Sequence, residues 1–136
     1  MTEPLHDELV WCLQALAQDA DIQRSLYPEF VVVADELALD FDDALQLHGP
    51  DVLKTHPDLA QLLALIESKS GQEGYWFGRA LEESEFWADI RKSARAILHA
   101  RDLPSTIPDH RPHTVYYVEG KTIWLDRVLA WIRQRF

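Results

Sequence analysis

The sequence predicts a mainly α fold. We expect a single-domain bundle of five or six helices over residues 1–136, with a small C-terminal β-hairpin followed by a last helix. Three observations carry this. Apolar residues recur at i, i+3, i+4 and i+7 along most of the chain, the spacing of one helix face. At 136 residues, 47 % hydrophobic and 26 % charged, the chain can bury a core without staples and is too apolar for disorder. Strand character is read at Val115–Leu125, with the β-branched run Val31-Val32-Val33 as an alternative strand start that the helical spacing after it argues against.

The first helix is expected from about Pro4 to Gln18, with Leu5, Leu9, Cys12, Leu13 and Leu16 on one stripe. Pro4 suits a first helical position, and Asp7 and Glu8 suit the positive end of the macrodipole. Ile22–Tyr27 reads as a short turn of helix ended by Pro28. A long helix over about Glu29–Leu47 follows, turning Phe30, Val33, Ala34, Leu37, Ala38, Phe41, Ala44 and Leu45 inward. Gly49-Pro50 stops it. Pro57 opens another helix, with Leu59, Leu62, Leu63 and Ile66 inward. Ser68–Gly74 is a polar loop, and Tyr75-Trp76-Phe77 cannot all face one way, so one ring should be exposed. Ser84 is a good N-cap for a helix over about Glu85–Ala100, with Trp87, Ile90, Ala94, Ile97 and Leu98 inside. Leu103–His113 carries three prolines and reads as an irregular connector. Val115–Val118 and Thr122–Leu125, joined through Gly120, form the expected hairpin. Asp126 caps the last helix.

Charge is the most informative property. Residues 1–60 hold thirteen acids and two bases, a net of −11, whereas residues 61–136 hold ten acids and eleven bases. The whole chain carries −10, so nucleic acid and anionic membranes repel it, while a cationic protein is attracted. The acids concentrate on the long helix. At 100° per residue Glu36, Asp40 and Asp43 line one flank of its outer face, and Asp35 and Asp42 line the other. Leu39 and Val32 sit between them. Like charges at i, i+4 cost a few tenths of a kcal/mol per pair, roughly, so their accumulation suggests a functional cause. Asp35, Glu36, Leu39, Asp40, Asp42 and Asp43 are therefore the candidate partner-binding residues, an apolar centre with a charged rim. An apolar residue ringed by acids is equally what a helix buried on two sides produces.

Other chemistry is weakly signalled. No histidine accompanies the helical acids at the Glu-x-x-His spacing of carboxylate-bridged metal sites. His110 and His113 lie three apart on the connector without a cysteine near them. Cys12 falls on an apolar stripe and is read as core. No nucleophile elbow or phosphate loop occurs. Neither catalysis, a cofactor nor a metal is expected. The amino terminus shows no basic and apolar leader pattern, no run reaches bilayer length and a lone cysteine forms no internal disulfide, so a cytoplasmic location is expected. Trp11 and Trp131, at the edges of their stripes, are candidate exposed anchors.

The runs YPEFVVVADELALDFDDA, SEFWADIRKSARAIL and TIWLDRVLAWI, with the size and acidity of the chain, resemble the small cytoplasmic immunity proteins of contact-dependent growth inhibition and other polymorphic toxin systems. That resemblance implies an antitoxin that binds and neutralises a cognate basic toxin domain, commonly a nuclease. It implies no site residues. A non-catalytic bacterial adaptor with a merely solubilising acidic face is the alternative.

Overall fold

A computed structural model describes residues 4–110. Its helices are α1 (Asp7–Leu16), α2 (Ala20–Ser25), α3 (Val33–His48), α4 (Val52–Thr55), α5 (Pro57–Glu67), α6 (Ala80–Glu83) and α7 (Glu85–Ala100), with a single 3-10 turn at Glu73–Tyr75. Helix α1 packs on α3 and on α7, α7 packs also on α5, and short α4 links α5 back to α3. The core is contiguous, from Leu9, Leu13 and Leu16 through Leu37 and Phe41 to Leu59, Trp87 and Ile90.

The expected fold needs one correction. The described residues are all-helical and contain no strand, so the mainly α expectation stands and the hairpin is no part of the described fold. The residues on which it was placed, and the last helix with Trp131, lie outside the described residues. The two extra helices, α4 and α6, are single turns of four residues, too short to leave a periodic signal.

Helix α7 follows its sequence closely. Ser84 Oγ accepts a hydrogen bond from Phe86 N–H at 3.1 Å, and every residue expected on the inner face is buried. Ser84→Ala should cost about 1 kcal/mol in urea unfolding, the usual worth of such a cap. Helix α5 starts on Pro57, as expected. Helix α3 starts four residues later than the sequence suggested. Val32 is extended (φ −83°, ψ 102°), and the preceding turn, Val31 N–H to Pro28 O at 3.3 Å, consumes the residues assigned to the first helical turn. The β-branched run resists helix here. Phe30, expected inside, is instead 54 % exposed. At the other end Gly49 takes φ 118°, a left-handed value that suits glycine after a helix.

At the carboxyl end of α1, side chains from elsewhere join the backbone turn, in which Ala17 N–H donates to Leu13 O at 3.0 Å and Gln18 N–H to Ala15 O at 3.3 Å. Gln23 Nε2 donates to Ala15 O and Leu16 O, both at 3.1 Å. Arg95 Nε donates to Ala17 O at 2.8 Å, and Arg91 Nε to Gln18 O at 3.1 Å. These carbonyls have no partner within a helix, and they form its negative pole. Two guanidinium groups from α7 therefore satisfy hydrogen bonds and complement the dipole at once. The outer one, Arg95, also bridges Asp19 at 3.2 Å.

Candidate functional site

The six residues singled out on the acidic helix do not form one surface. Asp35 (5 % exposed), Glu36 (0 %), Leu39 (5 %) and Asp42 (9 %) are buried. Asp40 is half-buried and accepts a hydrogen bond from Tyr27 Oη at 2.6 Å. Asp42 accepts one from Gln46 Nε2 at 2.9 Å. Of the six, only Asp43 is exposed. Eleven of the sixteen residues of α3 are buried, so this helix is enclosed on both faces rather than amphipathic. The picture of a protruding carboxylate stripe centred on Leu39 is corrected accordingly. Asp35 stands apart within the group: no hydrogen bond to its carboxyl occurs among the described residues, and burial pushes its pKa up to about 6.

A second cluster, not singled out from sequence, sits where the amino end of α5 meets the carboxyl end of α7. Arg101 grips Asp58 with two contacts, Nη1 to Oδ2 at 2.7 Å and Nη2 to Oδ1 at 2.9 Å. Nη1 also donates to Ile97 O at 3.0 Å, and Nη2 lies 3.0 Å from His56 Nδ1. A guanidinium only donates, so Nδ1 is the acceptor and His56 carries its proton on Nε2. Burial first, then the Arg101 charge, lowers the His56 pKa and keeps the ring neutral. The hydrogen bonds from Arg101 hold Asp58 below the usual carboxylate range. These groups floor a cleft of about 890 Å³, walled by Leu5, Val10, Pro57 and Leu103 with Asp7 at its edge. Both Nη nitrogens are already committed, so the cluster is a clasp between two helix ends and leaves no cation offered to an anionic ligand.

His6 and His48 extend the row, with ring centroids 5.0 Å apart, and His48 is 6.4 Å from His56. The rings meet edge to face. Among the described residues no group of three or more His, Cys, Asp or Glu side chains is placed to hold a metal ion. His110 is exposed, and His113 lies outside the described residues. Cys12 is core, at 1 % exposure. Of the aromatic triplet, Trp76 is buried, Tyr75 is half-buried and Phe77 is the exposed ring. Trp11 is half-buried, its Nε1–H donating to Asp109 O at 2.7 Å.

Outside, the charges are unbalanced. Residues 4–110 contain twenty acids and eight bases, a net of −12. Their arginines are already spent. Arg24 is paired with Glu82, Arg79 with Glu83, Arg95 with Asp19 and Arg101 with Asp58, while Arg91 is buried. Carboxylates such as Asp7, Asp21, Glu29, Asp51 and Asp109 are exposed and make no ion pair among the described residues.

Comparison with protein families, with curated proteins and with solved structures finds no match to this chain. No helix among the described residues is long and apolar enough to cross a membrane.

Proposed function

We propose that this chain is a non-catalytic immunity protein, an antitoxin acting in the cytoplasm that captures a cationic toxin domain and neutralises it by covering its working surface. A nuclease is the partner class whose phosphate-binding face best complements such an exterior. The observation that carries the reading is the excess of exposed carboxylates on a body whose own arginines are occupied. Such a surface attracts a basic domain over a Debye length and repels the nucleic acid that the same domain would bind. Occlusion needs no bond chemistry, so the reading requires neither a metal nor a cofactor.

The enclosure of Asp35, Glu36 and Asp42 favours one alternative, a bacterial adaptor in which those acids serve the fold and the exterior acids only solubilise. Affinity capture from the source cells, read by mass spectrometry at low and at high salt, separates the two. The immunity reading expects enrichment of a strongly basic domain that is released as salt rises, and expects co-expression to relieve that domain's toxicity. Enrichment only of neutral or acidic proteins, indifferent to salt, contradicts it.

A further inference from the structure

Between α1 and the segment that follows α7 lies a shallow hollow of about 300 Å³, lined by Asp7, Val10 and Trp11 on one side and Ile107, Pro108 and Asp109 on the other. Its walls are tied together. Besides Trp11 Nε1–H to Asp109 O at 2.7 Å, Gln14 Nε2 donates to Pro104 O at 3.0 Å, and Gln18 Nε2 donates to Ser105 O at 3.0 Å and Thr106 O at 3.1 Å. An irregular segment stitched this way keeps its shape before a partner arrives, which lowers the entropic cost of binding.

The chemistry of the hollow is mixed in a particular way. Ile107 is 57 % exposed, an apolar side chain left at the surface beside half-buried Val10. Asp7 and Asp109 are exposed at the rim and make no ion pair among the described residues. An arginine or lysine side chain matches both parts, with its methylene stem on Val10, Ile107 and Pro108 and its charged head at the two carboxylates. Asp7 and Val10 also line the 890 Å³ cleft beside Asp58, so the two depressions adjoin on α1, a track of two hollows. We infer that this track is where a cationic segment of another protein docks, an arginine entering the hollow between Asp7 and Asp109. Charge decides the occupant. A second copy of this chain brings −10, and nucleic acid or an anionic membrane brings the same sign.

The inference rests on the proposed binding of a basic partner and assigns it a place. Its test is fluorescence anisotropy with labelled nona-arginine at low and at physiological salt. The wild type should bind saturably and lose affinity as salt rises. The double variant Asp7→Asn with Asp109→Asn should bind at least about tenfold more weakly. A charge-matched control at the opposite end of α7, Glu85→Gln with Asp89→Asn, should change affinity less than about twofold. Equal loss in both variants, or none in either, overturns the placement while leaving an acidic binder of cationic partners standing. Absence of nona-arginine binding at low salt overturns the placement and the proposed function together. A change of oligomeric state in the Asp7/Asp109 variant without any peptide binding overturns the choice of occupant.

Discussion

Arg91→Met should lower the unfolding free energy by about 3–5 kcal/mol, read as a shift of the urea midpoint at unchanged slope. The side chain is 8 % exposed and sits among the apolar residues of α7. It donates to Gln18 O at 3.1 Å, to Gln23 Oε1 at 3.3 Å and to Leu81 O. Burial lowers its pKa, although the neighbouring Asp19 charge works the other way. The desolvation cost is therefore already met in the native state, and the return is the closure of α1, α2 and α6 on one cation. Methionine fills much of the space but strands three acceptors, each worth about 1–3 kcal/mol when left unmade. Arg91→Lys keeps the charge without the planar fork, so an intermediate loss is expected. A small domain has only about 5–15 kcal/mol in total, so Arg91→Met should bring it close to unfolding. A midpoint equal to that of the wild type would show that the guanidinium does not hold these helices.

The second large effect has the opposite sign. Asp35→Asn should raise stability at pH 7 by about 1–3 kcal/mol. The folded-state pKa of about 6 stands above the ordinary 3.8, so the native state holds the proton more tightly than the unfolded chain does. The contribution of Asp35 is thus fully favourable below about pH 4. It is lost as pH rises through 6, beyond which a constant penalty remains. At about 1.4 kcal/mol per pKa unit the ceiling is near 3 kcal/mol, and the position in the first turn of α3, where the dipole welcomes an anion, trims it. The advantage of the variant should therefore shrink as pH falls from 7 to 4. Asp58 and Glu82 act in the reverse direction, since their arginine partners lower their pKa values and their stabilisation fades in acid. Both backgrounds contain them, so the difference between wild type and variant isolates Asp35. A difference that does not vary with pH would contradict the assigned ionisation.

The helical plan was legible because local signals agreed with the fold. Ser84 before an apolar period, Pro57 at a helix start and Gly49-Pro50 at a helix end each have a local physical cause, and the structure uses all three. The acidic helix was misread for a reason visible in the same wheel. Leu39 between two acidic flanks signals either an interface centre or enclosure on a second side, and period alone cannot separate them, because enclosure is set by elements distant in sequence. Arg91 carried a clearer clue. It lies four residues after Trp87 and three before Ala94, on the stripe that faces inward, so a cation there needed buried acceptors. The Asp58–Arg101 clasp, spanning 43 residues, left no local trace at all. The same holds for the hollow beside α1, whose second wall was expected only as an irregular connector.

The receptive carboxylates lie on the outside of α1 and on the segment after α7, whereas Asp35, Glu36 and Asp42 of α3 are enclosed. Backbone amide shift mapping by NMR, titrating nona-arginine into the labelled protein, reads that placement directly. Perturbations are expected to gather around Asp7–Trp11 and Ile107–Asp109 and to fade with salt, while Asp35–Asp42 stay unmoved. Perturbations centred on Asp35–Asp42, with α1 silent, would contradict that placement.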